Sequence, residues 1–503
     1  MVTKYRDILK QMLPLLLFEG GAVLLFSPLV EKYFVSDDFL VLNRVCLNRD
    51  LLVKGFFRPL SDITIYCNYL LGGFNPVGYN MSSFLLHGLN SFLLFQLCRK
   101  WKWSSEKGVQ YMYATIAGVL FLTYPFHNES IAWMLGRGSL IAAGFGLAAL
   151  LFLVSDISEN KKIIAACLCY FIGLAAYESI IMLPVIFFLV LVNQKLSKVK
   201  LIKWLAAFLL VVCFHLFLRK IISGSILGSY GQEMLQGDLV QYSANVYKVL
   251  GRLLIPPLQN QGHSLIIAGL VTLTIGCLMI ITYKHLKNKS IQNRYLLNLS
   301  GCLALSLIIP VLFNVSTKTS ESDRFLYFPS LFLCCVVSLL IVSLFTSKAG
   351  RIALVIFIAG YNIIFLEWNN LNWRHAGEAT QSIIQVIRKD SSGKKLFIAN
   401  LPGEFDGAYV FRLGFKQALL INNIDTARIN VLNILSREEN MHLSEIIKPV
   451  YSSSGVFVPP VIKLNFANNG IDTVYGTKGA LSGLPGTSYR VYYWNKKNMV
   501  PLK

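Results

Sequence analysis

Two adjacent carboxylates, Asp37 and Asp38, open a polar stretch between two apolar runs and are the residues best suited to chemistry. An ionised carboxylate can accept a proton from an attacking hydroxyl, while a second one orients that hydroxyl or holds a divalent cation. The alternative is structural, because Ser36 and Asp37 precede an apolar segment and are also suited to capping a helix. The pair therefore predicts either a general base, with a possible divalent cation at Asp37 and Asp38, or a helix start.

A second group of polar side chains lies in or beside apolar segments, where such residues are costly and usually functional. Arginine binds phosphate through paired N–H donors, so a lipid-linked phosphate at the membrane surface would be recognised by such a group. For any single member the alternative is an interfacial side chain whose charged end reaches water. We interpret His215, Arg219 and Lys220 in that second way. The candidate binding residues are Arg58, His127, Glu129, Arg137, Glu178 and Arg324.

The composition is that of an integral membrane protein. The 503 residues are 54% hydrophobic and 15% charged, with a mean hydropathy of +0.55, whereas soluble domains carry about 25% charged residues. The net charge of +21 is not gathered on one soluble face, which excludes a nucleic-acid-binding protein and favours basic cytoplasmic loops.

Apolar runs and basic loops predict the membrane topology. A helix needs about 20 apolar residues to cross a bilayer. Every second connection is basic, so the N-terminus is expected in the cytoplasm and the C-terminus outside. About eleven transmembrane helices are predicted, near residues 11–30, 79–98, 110–126, 137–154, 162–177, 179–193, 201–219, 264–283, 296–315, 325–346 and 351–367.

The composition changes after Glu367 to that of a soluble domain. Alternating apolar residues predict strands at 395–399 and 491–494, and helical spacing predicts a helix over 406–420. The sequence therefore predicts a polytopic α-helical membrane domain over residues 1–370. A small extracytoplasmic α/β domain is expected over residues 371–503.

Four stretches in this order carry a family resemblance: SDDF at 36–39, FFRPLSDITIYCNYLLGGFNPVGYN at 56–80, YPFHNESIAWMLGRG at 124–138 and ESDRFLYFPSL at 321–331. Together they resemble the membrane core of GT-C fold glycosyltransferases. The pattern is similar to that of the transmembrane and tetratricopeptide-repeat O-mannosyltransferases, distant relatives of the protein O-mannosyltransferases. The tail departs from that pattern, because it shows no 34-residue period.

The resemblance implies an inverting transfer of a sugar from a polyprenyl-phosphate donor to an acceptor hydroxyl at the outer face of a plasma or inner membrane. It implies that Asp37 or Asp38 is the base, with Asp37 favoured, and that Arg58 lies in the Arg-Pro-Leu piece of the first outer loop. His127 and Glu129 would line the site, and Arg324 would contact the donor phosphate. Arg137 would bind phosphate or serve the structure. A protein and a cell-envelope glycan both stay open as acceptors.

Two other functions stay open at this point. A transporter or flippase of lipid-linked sugars would place its polar residues near the membrane midplane and show two related halves. A non-catalytic partner in envelope assembly would tolerate loss of Asp37 and Asp38. The polar residues here are expected at one face and no internal repeat is detected, which favours the glycosyltransferase.

Overall fold

The protein is described from a computed structural model that covers residues 2–52, 55–193, 197–226, 237–257, 291–435, 446–452, 455–460, 462–465, 470–473, 478–480 and 489–502. The chain forms two compact units. The first comprises Met1–Val30 and Asp50–Asn370, and the second comprises Glu31–Arg49 and Leu371–Lys503. The predicted division at residue 370 had left Glu31–Arg49, with Asp37 and Asp38, in the membrane domain. In the structure this segment packs with the C-terminal residues.

Helices form most of the described chain. The α-helices of the described residues are α1 (Val2–Leu25), α2 (Asp38–Leu42), α3 (Pro59–Gly72), α4 (Pro76–Lys100), α5 (Lys107–Leu122), α6 (Asn128–Ala132), α7 (Arg137–Leu153), α8 (Glu159–Leu174), α9 (Leu183–Asn193), α10 (Lys198–Ser223), α11 (Leu239–Leu254), α12 (Ile291–Ser306), α13 (Ile308–Phe313), α14 (Tyr327–Leu344), α15 (Lys348–Lys389) and α16 (Phe415–Ile421). Single 3₁₀ turns lie at Ser27–Leu29, Met134–Gly136, Glu178–Ile180 and Asp323–Leu326, and a π turn at Asn43–Leu47.

Several helical segments are suited to a bilayer, as an integral membrane protein requires. Among the described residues, six are long and apolar enough to cross a membrane: Pro76–Lys100, Met134–Leu153, Lys198–Ser223, Arg294–Phe313, Asp323–Leu344 and Lys348–Lys389. Met12–Leu25 and Glu178–Val192 are shorter apolar helices. The count of eleven and the orientation of the termini stay predictions, and the candidate near 264–283 lies outside the described residues.

Local sequence signals explain where α4 begins and ends. The side chain of Asn75 accepts a hydrogen bond from the backbone N–H of Val77 at 3.1 Å, and Pro76 occupies the first helical turn. An amide cap followed by proline is a strong helix start. Arg99 and Lys100 form the last turn, where positive charge complements the helix dipole.

The strands of the described residues all lie in the second unit. They are β1 (Lys395–Ala399), β2 (Leu401–Pro402), β3 (Glu404–Phe405), β4 (Ala408–Tyr409), β5 (Ile429–Val431), β6 (Ile434–Leu435), β7 (Val450–Ser452), β8 (Gly455–Val458), β9 (Ile462–Asn465), β10 (Gly470–Thr473), β11 (Lys478–Ala480), β12 (Tyr489–Trp494) and β13 (Met499–Pro501). One sheet has the order β13-β12-β1-β5, in which β1 pairs in parallel with β12 and β5. A second, antiparallel sheet has the order β11-β10-β9-β8-β7.

The helix expected over 406–420 is replaced by a hairpin and a shorter helix. β3 and β4 pair across Asp406 and Gly407, which have φ values of 46° and 90°. Two residues with positive φ form the turn that suits a tight hairpin, and Asp-Gly is among its strongest signals. Helical periodicity across this turn was therefore misleading, and α16 begins only at Phe415.

Asp390 joins the end of α15 to the parallel sheet. Its Oδ2 accepts hydrogen bonds from the Tyr492 hydroxyl at 2.8 Å and from Arg490 at 3.2 Å. Its Oδ1 accepts bonds from the backbone and hydroxyl of Ser392. Burial alone would raise the pKa of this carboxyl, but the donors outweigh it and lower the pKa to about 2.

We predict that Asp390→Asn lowers the thermal midpoint of the second unit at neutral pH, because the buried Tyr492 hydroxyl and the other donors lose their charged acceptor. The expected loss of stability is about 1–3 kcal/mol. The folded pKa of Asp390 lies below its unfolded value. The stabilisation is therefore complete above about pH 4 and is lost as the pH falls towards about 2. Thermal unfolding followed by tryptophan fluorescence between pH 2 and 7 measures both effects.

The matched control is Asp425→Asn, since Asp425 is exposed and accepts one local bond from Ala427 N. It should change the midpoint little. Equal thermal midpoints for the Asp390 variant and the wild type across this pH range would contradict a stabilising role for the hydrogen bonds to Asp390.

Candidate functional site

The first unit gathers two arginines around one glutamate. Arg58 donates from Nε to Glu178 Oε2 at 3.2 Å, and its Nη2 lies 3.1 Å from the same oxygen. Arg219 Nη1 lies 2.9 Å from the other oxygen, Oε1. One carboxylate is thus shared between two guanidiniums that come from separate helices.

Tyr177 links this group to a second ion pair. Its ring lies under the Arg58 guanidinium at 4.3 Å, and its hydroxyl accepts a hydrogen bond from Arg324 Nε at 3.2 Å. Arg324 also pairs through Nη1 with Glu129 Oε1, and its backbone N–H donates to Glu129 Oε2 at 2.7 Å. We name Arg58, Tyr177, Glu178, Arg219, Arg324 and Glu129 the arginine cluster.

The cluster is built from the ends of helices. Arg58 immediately precedes α3, Glu178 stands just before α9, and Arg219 lies in the last turns of α10. Glu129 and Arg324 lie in the short segments that lead into α7 and α14. Four of the predicted site residues, Arg58, Glu129, Glu178 and Arg324, are therefore brought together by contacts within this unit.

Backbone contacts hold these ends in place. Leu60 N donates to Ala175 O at 3.1 Å, and the Ser61 hydroxyl donates to Ala176 O at 3.1 Å. These bonds fasten the start of α3 to the chain that carries Tyr177 and Glu178. Gly55 N donates to Ser223 O at 2.9 Å and fastens the preceding loop to α10.

Two glycines allow the segments carrying Glu129 and Tyr177 to approach α7. A Cβ atom on Gly136 would lie 2.2 Å from the carbonyl oxygen of Glu129. On Gly138 it would lie 3.0 Å from the carbonyl oxygen of Ala176. The Gly-Arg-Gly motif is therefore a packing requirement at this end of the helices.

The charges of the cluster suit an anion. Three guanidiniums face two carboxylates, which leaves one net positive charge among the described members. Burial alone would lower the pKa of Arg58, but the adjacent Glu178 carboxylate raises it, so the guanidinium stays charged. Oriented arginines beside aromatic rings favour a phosphate group over a neutral ligand.

Arg137, a predicted phosphate or structural residue, bonds to neutral groups of neighbouring helices. It is buried and donates to Asn68 Oδ1 at 2.6 Å, to Ser83 Oγ at 3.2 Å and to the carbonyl oxygen of Tyr79. These bonds join the start of α7 to α3 and α4. Its contacts favour the structural alternative.

His127 lies inside the helical unit, among aromatic rings. Its Nε2 lies 2.8 Å from the Ser330 hydroxyl, and its ring centroid is 4.4 Å from that of Tyr327 and 5.1 Å from that of His87. Burial lowers the pKa of His127 well below its usual value, and His87 acts in the same direction. A neutral His127 is suited to supporting the segment that carries Glu129.

Asp37 and Asp38 belong to the second unit and have different environments. Asp38 is buried, and its Oδ2 accepts a hydrogen bond from the backbone N–H of Val35 at 3.0 Å, which ties the first residue of α2 to the chain before it. Asp37 is half-buried, and its Oδ1 accepts a bond from the Ser36 hydroxyl at 3.2 Å. The general-base role of either carboxylate therefore stays a prediction, and neither side chain caps α2.

The C-terminal part of the chain supports this acidic turn. Ser36 has a φ of 45°, and its backbone N–H donates to the carbonyl oxygen of Val410 at 2.7 Å. A Cβ atom on Gly414 would lie 2.4 Å from the carbonyl oxygen of Ser36. Only glycine fits such a close approach at the positive φ of residue 414.

A buried lysine lies beside the acidic turn. Burial lowers the pKa of Lys32, and the Asp38 charge acts in the opposite direction. Its Nζ donates to the carbonyl oxygen of Tyr33 at 3.0 Å. In the part of the chain that the structure describes, no group of three or more His, Cys, Asp or Glu side chains is placed to hold a metal ion.

Sequence reasoning missed two members of the cluster. We had interpreted Arg219 as an interfacial side chain, but it is buried and paired with Glu178. Tyr177 had no assigned role. Its position next to Glu178 could have predicted a role. A tyrosine beside a glutamate that pairs with an arginine is placed to stack on that arginine.

Comparisons with known proteins point to one group of enzymes. No family model matches the chain. Protein O-mannosyl-transferase TMTC3 of Homo sapiens is 28% identical over 108 residues, which are 22% of this chain and 11% of that protein. Protein O-mannosyl-transferase TMTC4 of Mus musculus is 36% identical over 103 residues, or 19% of this chain and 14% of that protein.

Among solved structures, ArnT from Cupriavidus metallidurans bound to undecaprenyl phosphate matches 85% of this chain and 91% of that chain, with 11% identity and a TM-score of 0.45. That likeness is too distant to carry an argument. The aligned part of this chain spans little more than a tenth of each TMTC relative named above. Over about a fifth of the chain, the predicted resemblance to O-mannosyltransferases of this group is confirmed.

Proposed function

We propose that this protein is a GT-C-like membrane glycosyltransferase that moves a sugar from a polyprenyl-phosphate donor to the hydroxyl of a protein or cell-envelope glycan. The observation that carries the proposal is the arginine cluster, which gathers three guanidiniums at the ends of apolar helices. The partial similarity to O-mannosyltransferases supports the type of reaction. The eleven spans, the cytoplasmic N-terminus and the extracytoplasmic C-terminal α/β domain are parts of this proposal.

In the proposed reaction the acceptor hydroxyl oxygen attacks the anomeric carbon of the sugar. The new C–O bond forms as the bond to the lipid phosphate breaks, which inverts the anomeric configuration. The hydroxyl proton passes to Asp37. The leaving group is the lipid phosphate, which changes from a phosphodiester to a phosphomonoester and gains one negative charge. The guanidiniums stabilise this charge as it develops in the transition state.

The environments of the two carboxylates favour Asp37 as the base. Asp38 is buried and holds the backbone of Val35, so an acceptor hydroxyl in water reaches it less readily. Asp37 is partly exposed and stands on a turn that Val410 and Gly414 hold in place. A positioned base of this kind accelerates a reaction by roughly 10²–10⁴-fold.

We predict that Asp37→Asn lowers kcat by about 10²–10⁴-fold, because the amide cannot accept the proton. The thermal midpoint should be unchanged, since the amide retains an oxygen acceptor for Ser36. The measurement is transfer of a radiolabelled sugar from a polyprenyl-phosphate donor by purified protein. Turnover like that of the wild type would show that Asp37 is not the base.

Asp38→Asn is the matched comparison, because the side chain has the same size and lies one residue away. Loss of its charge should lower the thermal midpoint, since Asp38 holds the buried turn at Val35. If Asp38→Asn instead abolished turnover with an unchanged midpoint, the roles of the two carboxylates would be reversed.

We also predict that Arg324→Gln weakens binding of a polyprenyl-phosphate donor by about 10–100-fold, the size expected for a lost charged hydrogen bond of about 1.5–3 kcal/mol. Acceptor binding should change less. Equilibrium binding of each substrate to purified protein separates the two effects, and a larger loss of acceptor affinity would contradict the assignment.

Two further variants serve as controls, the first for the buried charge that this change leaves on Glu129 and the second for the loss of an arginine elsewhere. The double variant Glu129→Gln/Arg324→Gln removes both charges, so its thermal midpoint should recover while donor binding stays weak. Arg374→Gln removes an arginine from an exposed pair with Glu378 and should leave donor binding unchanged.

A further inference from the structure

We infer that Glu178 is an internal placeholder for the ligand, occupying an anion site between Arg58 and Arg219 that a lipid phosphate takes over. The inference rests on the proposed function and deepens it, because it makes Arg58 and Arg219 the pair that binds the phosphate and gives Glu178 an opposing role. Glu178 had been predicted to help bind the donor. In this inference Glu178 competes with the lipid-linked sugar for the same two guanidiniums.

The geometry of the ion pairs is that of an occupied anion site. Each oxygen of Glu178 faces one guanidinium, at 3.1 Å for Arg58 and 2.9 Å for Arg219. A phosphate also presents separate oxygens to two guanidiniums, and it carries at least as much charge. The carboxylate side chain is 19% exposed and that of Arg58 is 29% exposed, so the pair is accessible from outside the unit.

Unsatisfied polar atoms around Arg219 indicate that the carboxylate fills the site incompletely. The Arg219 side chain is 9% exposed, and its Nε has no hydrogen-bond partner among the described residues. One turn earlier on α10, His215 is fully buried, and neither of its ring nitrogens bonds to any described residue. Buried polar groups are normally satisfied, and a phosphate has more acceptor positions than a carboxylate.

Other contacts keep Arg58 in place when Glu178 withdraws. The ring of Tyr177 supports the Arg58 guanidinium from one side, and Phe56 lies 5.4 Å from it. The backbone bond from Gly55 to Ser223 fastens the loop before Arg58 to the end of α10. Without a ligand, Glu178 prevents the largely buried Arg219 and the partly buried Arg58 from being left uncompensated.

The test is binding of farnesyl phosphate, a short isoprenyl phosphate, to detergent-solubilised Glu178→Gln protein. Glutamine keeps the shape but removes the competing charge, so this variant should bind at least about tenfold more tightly than the wild type. Without ligand its thermal midpoint should fall, and farnesyl phosphate should raise that midpoint more than it raises that of the wild type. Equal or weaker binding by Glu178→Gln would overturn the placeholder role.

Matched variants identify the cause of any change. Glu378→Gln removes a glutamate from an exposed arginine pair and should leave affinity unchanged. Glu178→Asp keeps the charge and should not reproduce the tighter binding. Arg219→Gln should weaken binding of farnesyl phosphate at least tenfold, about 1.4 kcal/mol. Wild-type affinity in Arg219→Gln would remove Arg219 from the site.

Two further ligands separate this inference from the proposed function. If farnesol binds the wild type as well as farnesyl phosphate does, no phosphate site exists and the donor assignment fails with the inference. If inorganic phosphate binds as tightly as farnesyl phosphate, the lipid part of the inference is overturned. If farnesyl phosphate is preferred but Glu178→Gln does not improve binding, the placeholder role alone is overturned.

Discussion

The need to compensate guanidinium charges beside apolar helices shapes the candidate site. An arginine withdrawn from water is stable only when a carboxylate or several acceptors face it. Arg58 and Arg219 meet this need with Glu178, and Arg324 meets it with Glu129. Each pair therefore constrains two segments at once, and the helix ends that carry them cannot shift independently.

A further ion pair, between Arg252 and Asp323, places the same constraint on the segments beside the cluster. Arg252 Nη2 lies 2.7 Å from both carboxylate oxygens of Asp323, and its guanidinium stacks on Phe126 at 4.5 Å. Asp323 precedes Arg324, and Phe126 lies three residues before Glu129. One arginine of α11 thus supports both segments whose side chains form the Arg324–Glu129 pair.

The acidic turn obeys a different constraint, that of a crowded backbone. The positive φ of Ser36 and the absence of a side chain at Gly414 allow the turn to pack against the C-terminal segment. Packing buries Asp38 and leaves Asp37 partly exposed. Two residues that are identical in type thus differ in how much water reaches them.

Composition and motif order were enough to predict a membrane protein that resembles the O-mannosyltransferases, because both properties are local to the chain. The Asp-Gly hairpin at 406–407 was also readable, although helical periodicity obscured it. The partners of the charged residues were not readable. Arg58 meets Glu178 across 120 positions, and Arg324 meets Glu129 across 195.

By itself, the sequence determined which residues had to find partners, since a charge beside an apolar helix cannot remain uncompensated. Only the tertiary structure decided who those partners are. It assigned Arg219 to Glu178, directed Arg137 to neutral acceptors, and buried Asp38 while leaving Asp37 partly exposed. The physical reason is that pairing and burial depend on which helix ends and loops meet in space, and spacing along the chain does not specify that.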